Sequence, residues 1–177
     1  MTDGETPNWG DFTILIPTLN EAETISQLIT ALLVRYPGVN LLVIDDVSHD
    51  GTQDIVRAAA AGAEPGRVSL IERREAAERG ITASILDGLN HVPTPFFLVM
   101  DGDLQHPPEI AGEVMAEVQS GADIAAGARL PYRENQGLHR ILMTRLATRL
   151  AKRHLARRGY HVADPMSGFF GGKTELV

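Results

Sequence analysis

The 177-residue sequence contains no cysteine. Disulfides and thiolate metal sites are therefore excluded, and a reducing compartment is unopposed. No apolar run approaches the roughly 20 residues needed to span a bilayer. Met1-Thr2-Asp3-Gly4-Glu5 lacks the basic start and apolar stretch of a signal peptide. Any membrane contact is expected from the side. Aromatic residues make up 5% of the chain and the net charge is −7, which argues against a nucleic-acid partner. There is no repeat, low-complexity tract or linker.

What is present is a globular composition, 44% hydrophobic and 22% charged, long enough for one domain with a proper core. Residues 1–10 read as an N-terminal tail and 11–177 as the domain. The charge is unevenly spread. Arg129, Arg133, Arg140, Arg145, Arg149, Lys152, Arg153, Arg157 and Arg158 face a single acid, Glu134. That stretch suits either a local anionic partner or a solvated helix face.

Phe12 to Ile16, Leu41 to Ile44, Val68 to Ile71, Phe96 to Met100 and Asp123 to Gly127 read as short buried strands. Between them lie helical patterns. Ile25, Leu28, Ile29, Leu32 and Leu33 recur at helical spacing, with Asn20 as cap and Pro37-Gly38 as stop. Thr52 to Ala61 forms a second helix after the Asp50-Gly51 turn. Ile81, Ile85, Leu86 and Leu89 mark one face of a third, opened by Gly80. Pro107-Pro108 suits the first turn of a fourth, carrying Ile110, Val114 and Val118. A long amphipathic helix is expected over 138–158. Strands alternating with helices imply a mostly parallel sheet covered on both faces. Ligands in such folds bind beyond the carboxyl ends of the strands.

Three polar clusters fall at those ends: Thr18-Leu19-Asn20-Glu21, Asp45-Asp46 and Asp101-Gly102-Asp103. Two carboxylates flanking a glycine can aim at one point, and Gly102 offers turn freedom and close approach to a diphosphate. Hard oxygen ligands suit Mg²⁺ or Mn²⁺, with Gln105 or His106 as an added ligand. The same acids would otherwise only solvate a loop or cap a helix. One of Asp45 and Asp46 can serve a base or ribose while the other orders the loop. For Asp50, Gly51 and Thr52 a purely structural turn is the preferred reading.

Five motifs occur in a telling order: Ile16-Pro17-Thr18-Leu19-Asn20-Glu21, Asp45 to Thr52, Arg79-Gly80-Ile81-Thr82-Ala83, Asp101 to Pro107, and Asp164-Pro165-Met166-Ser167-Gly168-Phe169. Together they resemble the family 2 inverting glycosyltransferases, and more narrowly the polyprenyl-phosphate sugar transferases of the dolichyl-phosphate mannose synthase type. The resemblance implies a GT-A fold, a three-layer α/β/α arrangement. It implies a donor site at Pro17, Leu19, Glu21, Ile44, Asp46, Asp101, Gly102 and Asp103, and a divalent cation on Asp103 and Gln105 with Asp101 beside them. Arg129 matches a phosphate-gripping arginine, catalytic together with Asp103. Arg140 and Arg145 lie where the family has acceptor-side basic residues. Leu19 stands where a tyrosine is frequent, and Val47 where Asn, Gly or Ser is usual. This sequence stops at Val177, soon after Phe170, where family members continue into further helix and strand, so the domain is expected to be incomplete at its C-terminus.

The expected reaction moves a hexose, mannose from GDP-mannose, to a polyprenyl monophosphate. UDP-glucose is the alternative donor. A silent nucleotide-sugar-binding module and a nucleotidyltransferase are the competing classes, though the latter wants a glycine-rich basic loop after the first strand. Helix 138–158 pairs a stripe of Leu138, Leu142, Leu146 and Leu150 with Arg145, Arg149, Arg153 and Arg157. That pattern suits peripheral contact with an anionic membrane, on its cytoplasmic face. His49, His91, His139, His154 and His161 have no motif partner.

Overall fold

In the computed structural model, which describes residues 8–74, 78–127 and 168–177, four of the expected strands pair in parallel. They are β1 (Phe12–Thr18), β2 (Asn40–Asp45), β3 (Val68–Glu72) and β4 (Phe96–Val99). β1 is central: Ile14 lies opposite Leu41 on one side and Leu98 on the other, and all seven of its residues are buried. Such a strand reads as a continuous apolar run because both its faces are covered. β5 (Ile124–Ala126) and β6 (Phe170–Lys173) complete the sheet, with β6 antiparallel to β4 and β5 antiparallel to β6. The order is β3-β2-β1-β4-β6-β5, so the expected mostly parallel α/β sheet is present.

Among the described residues four helices cover the sheet: α1 (Ile25–Arg35), α2 (Thr52–Gly62), α3 (Ile81–Leu89) and α4 (Ala111–Gln119). The larger core packs Leu28 and Leu32 of α1, Val56 of α2 and Met115 of α4 against Ile14, Ile16 and Val43. On the opposite face Ile85 and Leu89 of α3 pack against Leu15, Leu42, Ile44, Phe97 and Val99. Three layers result. Chain order and sheet order part company between β1 and β4, neighbours in space but not in sequence. A crevice opens at such a switch point.

Several local expectations are corrected. Asn20 does not cap α1, which begins only at Ile25 after Thr24. Its backbone is left-handed, φ 60°, and its side chain instead accepts the His49 N–H at 2.9 Å. The apolar positions of α3 do not form one buried face. Ala83, Ser84 and Gly88 meet the sheet, while Ile81 and Leu86 are 52% and 57% exposed. Small residues win there because the helix lies close: a Cβ on Gly88 would sit 2.8 Å from both Ile44 Cδ1 and Leu15 Cδ2. The segment at Pro108–Ile110 forms a 3-10 turn before α4 rather than its first α turn. β6 is an addition. Its Gly171 is demanded by close strand contact, since a Cβ would stand 2.7 Å from the Phe97 carbonyl oxygen.

Immediately after β2 and Asp46, Val47 adopts φ 66°. A β-branched side chain in this region crowds the following carbonyl, at a cost of about 1–2 kcal/mol. Replacing Val47 by Asn, which tolerates the conformation, is expected to raise unfolding free energy by about 1 kcal/mol. Equilibrium denaturation measures it. Equal or lower stability in the variant would show that the loop carries no strain.

Candidate functional site

A cleft of about 300 Å³ opens where β1, β2 and β4 end. Pro17, Leu19 and Glu21 line it from the β1 side, Asp46 from β2, and Asp101, Gly102 and Asp103 from β4. Gly80, Ile81 and Ser84 complete it from the start of α3. Seven of the eight residues assigned to the donor therefore share one cavity. Ile44 does not line it. Its side chain is sealed in the core under α3, so any contribution of that side chain is support.

The two acids ending β2 have opposite surroundings, as strand alternation requires. Asp45 is fully buried. It accepts from Thr18 Oγ1, Ser48 N and Oγ, and Gln53 Nε2, tying β1, the loop and α2 together. Asp46 faces α3 and the cleft. Its Oδ1 accepts from Arg73 Nη1 at 2.8 Å and Arg79 Nη1 at 3.2 Å, and its Oδ2 from Gly80 N at 2.7 Å. Burial alone pushes the Asp46 carboxyl up, but the Gly80 amide and the two guanidiniums outweigh it and hold it below the ordinary value. Breaking a buried pair of this kind by removing one partner typically costs about 3–5 kcal/mol.

Asp50 and Thr52 play the structural part expected of them. Asp50 accepts from Ala22 N and from both Thr52 N and Oγ1, and Thr52 Oγ1 accepts from Glu21 N at 2.9 Å. The loop bearing Leu19 and Glu21 is thereby fastened to the start of α2. Leu19 itself is 54% exposed, an aliphatic surface at the cleft mouth.

The Asp101–Asp103 turn is built differently from expectation. Gly102 does not take a left-handed conformation; Leu104 does, with φ 59°. Gly102 is needed for closeness instead, because a Cβ there would come within 3.2 Å of Thr18 Cγ2 and 3.4 Å of Glu21 Cγ. Thr24 Oγ1 donates to the Gly102 carbonyl at 2.8 Å, joining the two loops. Asp103 Oδ1 accepts from Gln105 N at 3.0 Å, while the Gln105 residue is exposed. Gly168 lies against Asp101, where a Cβ would be 2.8 Å from its Oδ2. The ring of the next residue, Phe169, stacks on His106 with centroids 5.1 Å apart.

Glu21, Asp101 and Asp103 thus crowd one cavity with negative charge. Burial raises the Glu21 carboxyl above its ordinary value, Thr24 opposes this, and the charges of Asp103, Asp50 and Asp101 add to the rise. Among the described residues no cluster of three acids or histidines is preassembled around a point. Mg²⁺ and Mn²⁺ do not need one, because they typically take one or two carboxylates and complete their shell with water and substrate phosphates. The oxygen donors present fit such an ion.

Arg129, Arg140 and Arg145, helix 138–158 and residues 164–167 of the last motif lie outside the described residues. Arg73 and Ser84 were missed in the sequence, whereas Ile81 belongs to the motif that opens α3. Arg73 directly follows a strand end, the same positional signal that identified the acids, but an isolated arginine carries no motif.

The sign of the Glu21 effect is testable. A carboxyl raised in the folded state binds more protons there than in the unfolded chain, so it lowers stability as pH rises from 4.5 through the higher folded value. Glu21→Gln is expected to raise the metal-free melting temperature at pH 7 by on the order of a few degrees. The gain should vanish below pH 4.5. A lower melting temperature at pH 7 would contradict the crowding.

Comparison with known proteins matches this geometry to a family. The glycosyl transferase family 2 model matches residues 13–177. A dolichol-phosphate mannosyltransferase of Pyrococcus furiosus is 31% identical over 169 residues, covering 93% of this chain and 46% of the relative. The chain thus spans about half of that relative's length. Mannosyl-3-phosphoglycerate synthase from Rubrobacter xylanophilus superposes with a TM-score of 0.71 at 21% identity, over 93% of this chain and 54% of the other. Glucosyl-3-phosphoglycerate synthase from Mycobacterium tuberculosis, in complex with Mn²⁺, UDP-glucose and phosphoglyceric acid, gives 0.70 at 24% identity, over 93% and 57%. Those likenesses show the fold, GT-A. With the family model spanning nearly its whole length, the chain belongs to glycosyl transferase family 2.

Proposed function

We propose that this chain carries the donor site of an enzyme that transfers a hexose, mannose from GDP-mannose, to a polyprenyl monophosphate with inversion. One observation carries the reading most: Glu21, Asp46, Asp101 and Asp103, from three strand ends, converge on a single cleft. The mannosyltransferase name of the Pyrococcus relative supports the sugar and the class of acceptor.

The bond broken joins the anomeric carbon to the leaving nucleoside diphosphate; the bond formed joins it to an acceptor phosphate oxygen on the opposite face. A phosphate monoester is ionised near neutral pH, so no strong general base is required. Positioning and charge stabilisation supply the acceleration. Pro17, Leu19 and Asp46 bound the base and ribose end, while Gly102 lets the diphosphate approach the Asp101–Asp103 turn. Asp103 with Asp101, and Gln105 beside them, would hold a divalent cation, Mg²⁺ or Mn²⁺, which would offset negative charge on the diphosphate. On this reading Arg129, Arg140 and Arg145 would hold phosphate on the acceptor side, and the basic segment 138–158 would meet the cytoplasmic face of the membrane that supplies the lipid.

Thermal-shift screening of GDP, UDP and their sugar conjugates tests the donor site. With Mn²⁺ or Mg²⁺ the expected order is GDP compounds above UDP compounds, and Asp103→Asn should remove the metal-dependent part of the shift. Larger shifts with UDP-glucose would replace the donor, and no shift with any nucleotide would end the reading. Binding without sugar transfer to polyprenyl phosphate would favour a silent binding module. Vesicle co-sedimentation indifferent to anionic lipid and salt would remove the membrane role.

A further inference from the structure

One wall of the cleft is held by a side chain that never reaches it. Arg73 follows β3, its side chain is 2% exposed, and it is absent from the lining. Its guanidinium makes four directed bonds. Nε donates to Asp87 Oδ2 at 2.6 Å, Nη1 to Asp46 Oδ1 at 2.8 Å and Ser84 Oγ at 3.1 Å, and Nη2 to the Glu78 carbonyl at 2.7 Å. The Arg73 N–H donates to the Asp45 carbonyl at 3.0 Å, and its own carbonyl accepts from Arg79 Nη1 at 2.8 Å. Three separate pieces meet on this residue: the end of β2, the loop before α3, and α3 itself.

Those pieces present to the cleft Asp46, Gly80, Ile81 and Ser84. Asp46 uses three of the roughly four acceptor directions of a carboxylate on Arg73, Arg79 and Gly80. One direction is left for a ligand hydroxyl or N–H. Such an acceptor is useful only if its carboxylate cannot rotate, and the buried fork of Arg73 fixes it. Arg79 reaches the same oxygen but is 46% exposed, so its grip competes with water. A lysine at 73 could not replace the fork, because one point charge cannot satisfy three pieces at these angles.

We propose that Arg73 is a positioning residue for nucleotide binding: by clamping Asp46, the 78–80 loop and α3 together, it sets the wall that receives the base and ribose. This rests on the reading of the cleft as a nucleotide-sugar site. Asp46 follows β2 and the Asp101–Asp103 turn follows β4, with β1 between them, so Arg73 governs the nucleoside end of the ligand and leaves the diphosphate end alone.

Titration calorimetry of the full chain with Mn²⁺ and GDP, UDP or inorganic pyrophosphate tests it. Arg73→Lys is expected to weaken nucleoside diphosphate binding tenfold or more and to leave Mn²⁺-pyrophosphate affinity within twofold of the parent. Asp46→Asn should weaken GDP or UDP similarly, and the double variant should be no more than about twofold worse than the worse single one, as for two residues acting through one contact. Should Arg73→Lys not fold, Asp87→Ala, which leaves Nε without that acceptor, is expected to weaken the nucleotide about threefold with pyrophosphate unchanged. Nucleotide affinity insensitive to whichever variant folds, an equal loss for pyrophosphate, or fully multiplying effects in the double variant would each overturn the proposal. A parent protein that binds neither GDP nor UDP overturns the donor-site reading and this one with it; an insensitive variant of a binding parent overturns this one alone.

Discussion

Asp45 sits at the end of β2 with no access to water, and the geometry of the cleft follows from how that carboxylate is satisfied. A buried carboxylate without partners is prohibitively costly, so the surrounding chain has to supply donors. Thr18, Ser48 and Gln53 do so, and the three belong to β1, the β2–α2 loop and α2. Once Asp45 is fixed on that face, alternation turns Asp46 to the other, toward α3 and Arg73. The strain at Val47, φ 66°, accompanies the tight turn from Asp46 back to Ser48, whose backbone N–H also bonds Asp45.

The β4 end is governed by closeness rather than by charge. Gly102 packs on Thr18 and Glu21, and Thr24 Oγ1 holds its carbonyl. With no side chain at 102, the Asp101 and Asp103 carboxylates are brought up to the β1 loop and to Glu21. Burial raises the Glu21 carboxyl first, and the neighbouring charges of Asp103, Asp50 and Asp101 add to that rise, so the crowd of acids is unfavourable by itself. A divalent cation shared with a diphosphate is the ligand that would relieve it.

Much of this was legible in the sequence. Four parallel strands and the acids at their ends were visible because fully buried strands leave uninterrupted apolar runs, and because polar residues at such ends have few structural excuses. β6 was not visible: Phe170-Gly171-Gly172-Lys173 has two glycines where propensity wants branched side chains, and they are explained only by the approach of Phe97 in β4 at Gly171 and of the Asp123 carbonyl beside β5 at Gly172. The buried face of α3 was misread for the same reason, since Ala83, Ser84 and Gly88 are chosen for proximity and leave no hydrophobic period. Asn20 looked like a helix cap because its side chain is built to bond backbone amides. It bonds one, but across the loop at His49. Arg73 was invisible because its partners are scattered from Asp46 to Asp87.

The proposed donor site requires the Asp101–Asp103 turn to carry a cation together with a nucleoside diphosphate in the cleft among β1, β2 and β4. Paramagnetic Mn²⁺ added to the isotopically labelled protein with GDP tests this most directly, because it broadens only amide resonances near the ion. The prediction is loss of signal strongest at residues 101–105 and at Glu21, fading with distance so that Arg67 and Val68, at the end of β3 away from the cleft, keep theirs. Broadening centred elsewhere, or none with GDP present, would contradict it.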